Sequence, residues 1–107
     1  SQDVVIRDRQ MLAQDGMFVI IAVVDAQSGK LKKSPDLISR GFVYLKENQE
    51  LLRACRIIIK KSIEDATARG PVSDFDNIKN NLGEQVSKFL FQKTAKRPLV
   101  IPVILSV

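Results

Sequence analysis

Residues 17–24 read Met-Phe-Val-Ile-Ile-Ala-Val-Val, an unbroken apolar run that restricts the possible folds more than any other feature. It lies between Asp15-Gly16 and Asp25-Ala26-Gln27-Ser28-Gly29, both turn-forming sequences. Its β-branched side chains fit a pleated surface, and its length suits a strand better than a helix. It is far shorter than the roughly twenty apolar residues that cross a bilayer. Alternation places Met17, Val19, Ile21 and Val23 on one face, and Phe18, Ile20, Ala22 and Val24 on the other. Neither face offers a polar residue to water. This strand requires cover on both sides.

A chain of 107 residues, 45% of them apolar, suffices for one domain over residues 1–107. Such a domain buries roughly 60–65% of its unfolded surface. The net charge is +5 and the pI about 9.6, which suits a polyanionic partner without requiring one. Cys55 is the only cysteine, so no disulfide can form within the chain, in keeping with a reducing cytoplasm. There is no histidine, which removes serine- and cysteine-type triads and most zinc sites. Gln2, Asp3, Arg7 and Asp8 break any early apolar run, so no signal peptide is read at the start. Ser1-Gln2-Asp3 reads as a cut inside a longer protein, with residues 1–15 a lead-in from a linker.

Residues 7–14 suit one or two helical turns, with Met11 and Leu12 facing inward. Lys30–Lys33 can pair briefly as an edge strand, its lysines discouraging edge-to-edge association. Leu37–Tyr44 alternates in character and is expected as a second strand, with Gly41 marking a bulge or a close backbone approach. Glu47–Arg69 carries a helical stripe through Leu51, Cys55, Ile58, Ile59, Ser62, Ile63 and Ala66, ended by Gly70-Pro71. Cys55 on that stripe reads as a small core residue. A second helix is expected after Ser73, with its stripe at Phe75, Ile78, Leu82, Val86, Phe89 and Leu90. Leu99–Val107 is the last strand, and Pro102 puts it at an edge or a bulge.

The order strand, strand, helix, helix, strand predicts an α+β fold of two layers: a three-stranded sheet with two helices on one face. Each helix has one apolar stripe, so together they cover one face only. The other exposes about six aliphatic side chains, each worth roughly 1.5–3 kcal/mol when buried. A second copy of the domain, or another domain of a parent protein, is the expected cover; the alternative is Asp3–Gln14 folding back. Phe18, Ile20, Val24, Val100 and Ile104 are the self-association candidates.

No catalytic constellation stands out. Asp74 and Asp76 sit at a helix start, where acidic residues cap. Neither G-x-G-x-x-G, nor the Walker pattern, nor G-x-x-G occurs, and the six aromatics do not interleave with Arg or Lys. No catalytic, metal-binding or cofactor-binding residue is assigned. Basic residues group in three places: Arg53, Arg56 and Lys60 on one helix, Lys30, Lys32 and Lys33 in the hairpin, and Lys93, Lys96 and Arg97 before the last strand; of these Arg53, Arg56, Lys60, Lys96 and Arg97 are the candidates for contacting nucleic-acid phosphates without reading sequence.

Three segments carry a family likeness. Ile6-Arg7-Asp8-Arg9-Gln10-Met11-Leu12-Ala13-Gln14-Asp15-Gly16 resembles the opening of the C-terminal domain of bacterial ribonuclease J. Ser39-Arg40-Gly41-Phe42-Val43-Tyr44 with Glu47 is similar to the same domain, as is the close through Phe89-Leu90, Lys93-Thr94, Arg97-Pro98 and Ile101-Pro102-Val103. The resemblance implies a fragment of a metal-dependent 5′–3′ exo/endoribonuclease of RNA processing and decay. The parent joins a metallo-β-lactamase domain, a β-CASP domain and this small one, and holds two zinc ions. Those ligands cannot be carried onto this chain, which lacks histidine and the H-x-H-x-D-H motif. The implied role here is non-catalytic: self-association into a dimer or tetramer, support of the parent's activity on RNA, and no membrane contact. The alternative role is an accessory RNA-binding module.

Overall fold

The apolar run forms the strand it predicts, and that strand becomes the middle of three. The computed structural model describes every residue from Ser1 to Val107. Helix α1 covers Gln2–Asp15, strand β1 Met17–Val24, strand β2 Asp36–Arg40, helix α2 Gln49–Ala66, helix α3 Asp76–Thr94 and strand β3 Leu99–Ser106. The strand order is β2-β1-β3, with β2 antiparallel and β3 parallel to β1. The α+β class and the ββααβ order stand, preceded by a longer first helix than the sequence suggests. Ser1 caps that helix, its hydroxyl accepting from Val4 N at 3.3 Å.

Strand β1 alternates strictly in burial. Phe18, Ile20, Ala22 and Val24 lie under the helices at 0–1% exposure, while Met17, Val19, Ile21 and Val23 are only half-buried. From the helices come Leu52, Cys55, Ile59 and Ile63 of α2 and Ile78, Leu82, Val86 and Leu90 of α3. Fully burying one such side chain is worth roughly 1.5–3 kcal/mol, so this layer is the main source of stability. Asn81 Nδ2 donates to Ser62 Oγ at 3.4 Å, joining the two helices through a polar position of the seam.

Strand β2 is shorter than Leu37–Tyr44. It ends at Arg40, and Gly41 turns the chain at φ 68°. The turn is fixed by Ser39, whose hydroxyl donates to Val43 O at 2.8 Å and accepts from Val43 N at 3.2 Å. It also drops Phe42 into the core against Phe18, edge to face, with centroids 6.0 Å apart. Gly16 at φ 75° passes directly over this turn, where a Cβ would run into the Arg40 carbonyl oxygen. Of Lys30–Lys33 only a single bridge forms, Leu31 opposite Val24. Strand β3 is an edge strand, as Pro102 requires, paired without a bulge.

Two local expectations are corrected. Ser73 does not cap α3; instead Asp74 Oδ1 accepts from Asp76 N at 2.9 Å at the start of the helix. Leu12 does not face inward. It is exposed with Val4, Val5 and Ile6, and α1 buries no residue at all.

Candidate functional site

Two surfaces stand out, and both follow from how the strands and α2 are placed. The first is the sheet face turned away from α2 and α3. Register sets it: Val19 lies beside Ile38 on one side and Ile101 on the other, and Ile21 lies beside Val103. Met17, Leu99, Val23 and Leu105 extend the same face along β1 and β3. At its β2 margin stand two exposed charges, Asp36 and Arg40. The result is a contiguous aliphatic surface bordered by charge, with Leu105 48% exposed. No helix roofs it. Helix α1 meets β3 at its own end, and Met11 shares a hollow beside it with Ser87, Lys88, Phe91 and Arg97. Asp15 Oδ2 ties that junction by accepting from Arg97 N at 2.7 Å.

The face is real, but the candidate residues for it lie on its reverse. Phe18, Ile20 and Val24 are sealed in the core, and no partner can reach them. Val100 and Ile104 pair beside Phe18 and Ala22 and pack against the same core. The reason is parity. One residue along a strand reverses the side, and only the cross-strand register tells which parity the helices take. The accessible set is Met17, Val19, Ile21, Val23, Ile38, Ile101, Val103 and Leu105.

The second surface is a cleft of about 470 Å³ between the segment Leu31–Pro35 and α2. Arg53, Arg56 and Lys60 of α2 form one wall, and Lys32 and Lys33 face them. Arg56 spans the gap, its Nε donating to Pro35 O at 3.3 Å. The structure therefore brings Arg53, Arg56 and Lys60 together with Lys32 and Lys33 of the second basic group. Lys96 and Arg97 are not part of it. Arg97 stacks over Phe91 at 4.1 Å from the ring centroid, near the end of α3, and Lys96 follows the Thr94 turn there.

No three His, Cys, Asp or Glu side chains converge, and with no histidine these residues do not fit a zinc pair. Cys55 is enclosed, and burial pushes its thiol up to about 12, the opposite of an activated nucleophile. Asp25 is held below the usual carboxylate range by the backbone N–H groups of Ser28 and Gln27, which donate to it at 2.8 and 2.9 Å. It fixes a turn. No helix is long and apolar enough to cross a membrane.

These features define a two-layer α+β domain whose distinctive surfaces are an apolar sheet face and a basic cleft. The chain belongs to the ribonuclease J C-terminal domain family, whose model matches residues 4–107. It is 37% identical to ribonuclease J 2 of Staphylococcus epidermidis over 102 residues, 95% of this chain and 18% of that protein. Ribonuclease J 2 of Staphylococcus aureus is 36% identical over the same share of each chain. The chain thus spans about 18% of the length of the curated relatives it matches.

Proposed function

We propose that this domain is the self-association module of a ribonuclease J-type RNA-processing nuclease, pairing with a second copy through the face centred on Val19, Ile21, Ile101 and Val103. On this reading the metallo-β-lactamase and β-CASP domains of the parent hold the two zinc ions and carry the hydrolysis of RNA. The present residues support that activity by assembling it. The observation that supports the reading is the aliphatic sheet face that α1, α2 and α3 leave open. Leaving such a surface in water is unfavourable, at roughly 25 cal/mol per Å² of apolar area. An oligomer removes it. An isologous pair is the simplest solution, because one patch then meets its own copy.

Sedimentation equilibrium of the 107-residue chain across 1–100 µM tests the reading, alongside Ile21→Asp and Val103→Asp. A dimeric or tetrameric mass for the unaltered chain and a monomeric one for both variants are expected. A monomer throughout that range refutes pairing through this face.

A further inference from the structure

We infer that the cleft between Leu31–Pro35 and α2 is a phosphate-backbone subsite for single-stranded RNA. The inference rests on the reading that this domain serves a ribonuclease. It concerns a surface that self-association does not use: α2 lies on the covered side of the sheet, opposite the open face.

Charge supply is the first argument. Five cations surround the cleft, and no carboxylate lines it. Lys33 and Lys60 have partners outside, Asp36 at 3.5 Å and Glu64 at 3.8 Å, both exposed pairs of small worth. Lys32, Arg53 and Arg56 form no ion pair within the chain. Cations held together without counter-charges repel, and a polyanion relieves that repulsion while releasing its own condensed ions.

Geometry is the second argument. Arg53, Arg56 and Lys60 follow at intervals of three and four, so they share one side of α2. At 1.5 Å of rise per residue that row is roughly 10 Å long, enough to lie along neighbouring phosphates of one strand. Arg56 is pre-positioned by its bond to Pro35 O through Nε, which leaves both terminal amino groups for a phosphate fork. Arg56 therefore orders the site at little further entropic cost.

The third argument is Ile57, which lies among these cations on the cleft wall and is 64% exposed. An aliphatic side chain displayed there offers a contact for a ribose or an unstacked base, which a free inorganic anion does not need. Single strands present such bases; duplexes do not. No pattern of side chains reads base edges, so binding is sequence-independent.

Fluorescence anisotropy with a 5′-fluorescein oligouridylate of twelve nucleotides tests the inference on the whole 107-residue chain. A slope near −0.7 per phosphate over three to five contacts gives a loss of roughly 20- to 130-fold in affinity between 50 and 200 mM KCl. Lys32→Glu with Arg53→Glu, neither of whose side chains makes a hydrogen bond within the chain, is expected to weaken binding at least tenfold at 50 mM. Lys88→Glu with Lys96→Glu, equal in charge, is expected to change it less than threefold. Inorganic tripolyphosphate at equal phosphate concentration is expected to compete poorly. Absence of binding at 50 mM, equal losses in the two double variants, or full displacement by tripolyphosphate overturns the inference. Sedimentation of the cleft variant separates this from the assembly reading, because its self-association is expected to match that of the unaltered chain whatever the RNA result.

Discussion

Truncating Ile20 and Ile21 to alanine, one at a time, distinguishes the two faces of β1 at adjacent positions with the same chemistry removed. Ile20 is fully enclosed beneath the helices. Its loss leaves a cavity, and such changes cost about 2–5 kcal/mol. With about 4–8 °C of melting temperature per kcal/mol in a domain of this size, a 3 kcal/mol loss lowers Tm by roughly 12–24 °C. Ile21 is only half-buried by its strand neighbours, so the same truncation costs a monomer about 1 kcal/mol or less. Concentration then separates the effects. On the proposed pairing, a folded dimer adds stability by mass action, and Ile21→Ala removes part of that gain. Differential scanning calorimetry at 2 and 200 µM is the assay. Ile20→Ala is expected to shift Tm equally at both concentrations, whereas the deficit of Ile21→Ala grows with concentration. A larger, concentration-independent loss for Ile21→Ala than for Ile20→Ala would falsify the face assignment.

Other consequences are as specific. Gly16→Ala places a Cβ against the Arg40 carbonyl at φ 75°, so a loss of about 3 kcal/mol or more in urea denaturation is expected. Gly83→Ala lies in a helix with nothing within 4 Å of the new Cβ, and a gain of roughly 0.5–1 kcal/mol is expected in the same assay. Cys55 is expected to resist Ellman's reagent at pH 8 until denaturant is added; rapid labelling of the native chain contradicts its place in the core. Its thiol stays protonated to about pH 12 when folded but ionises near 9.0 when unfolded, so its contribution is present below pH 9 and declines above it. Asp25 works the other way: its pKa is depressed below 3.8, so its stabilisation is present above that value and lost as the pH falls through the folded pKa. The stability gap between the unaltered chain and Asp25→Ala, read by urea titration, is expected to be open at pH 7 and to narrow below pH 3.8.

Periodicity made the layers legible, because each helix has a single apolar stripe while β1 is apolar on both faces. An open sheet face followed from that imbalance alone. Which parity it took did not. Arg40 and Asp36 flank Ile38 on one face of β2, a local hint that this face looks outward. Transferring the hint to β1 requires the pairing of Ile38 with Val19, a contact set by tertiary register. The same limit applies to the cleft. Arg53, Arg56 and Lys60 are neighbours by helical spacing, but Lys32 and Lys33 join them only because the chain before β2 passes beside α2. Lys96 and Arg97, an equally basic pair in sequence, end near α1 and Phe91 instead. Helix α1 exceeded its expected length because Ser1 caps it, while its Val4, Val5, Ile6 and Leu12 stay exposed.

The most direct measurement is an isotope-filtered NOE experiment on a sample mixing ¹³C-methyl-labelled and unlabelled chains. Cross-peaks between molecules are expected from the methyls of Val19, Ile21, Ile101 and Val103, and none from Ile20, Ile59 or Leu82. Intermolecular peaks confined to the exposed side of α1, or none at all at a concentration where the mass is dimeric, contradict the open sheet face as the place where two copies meet.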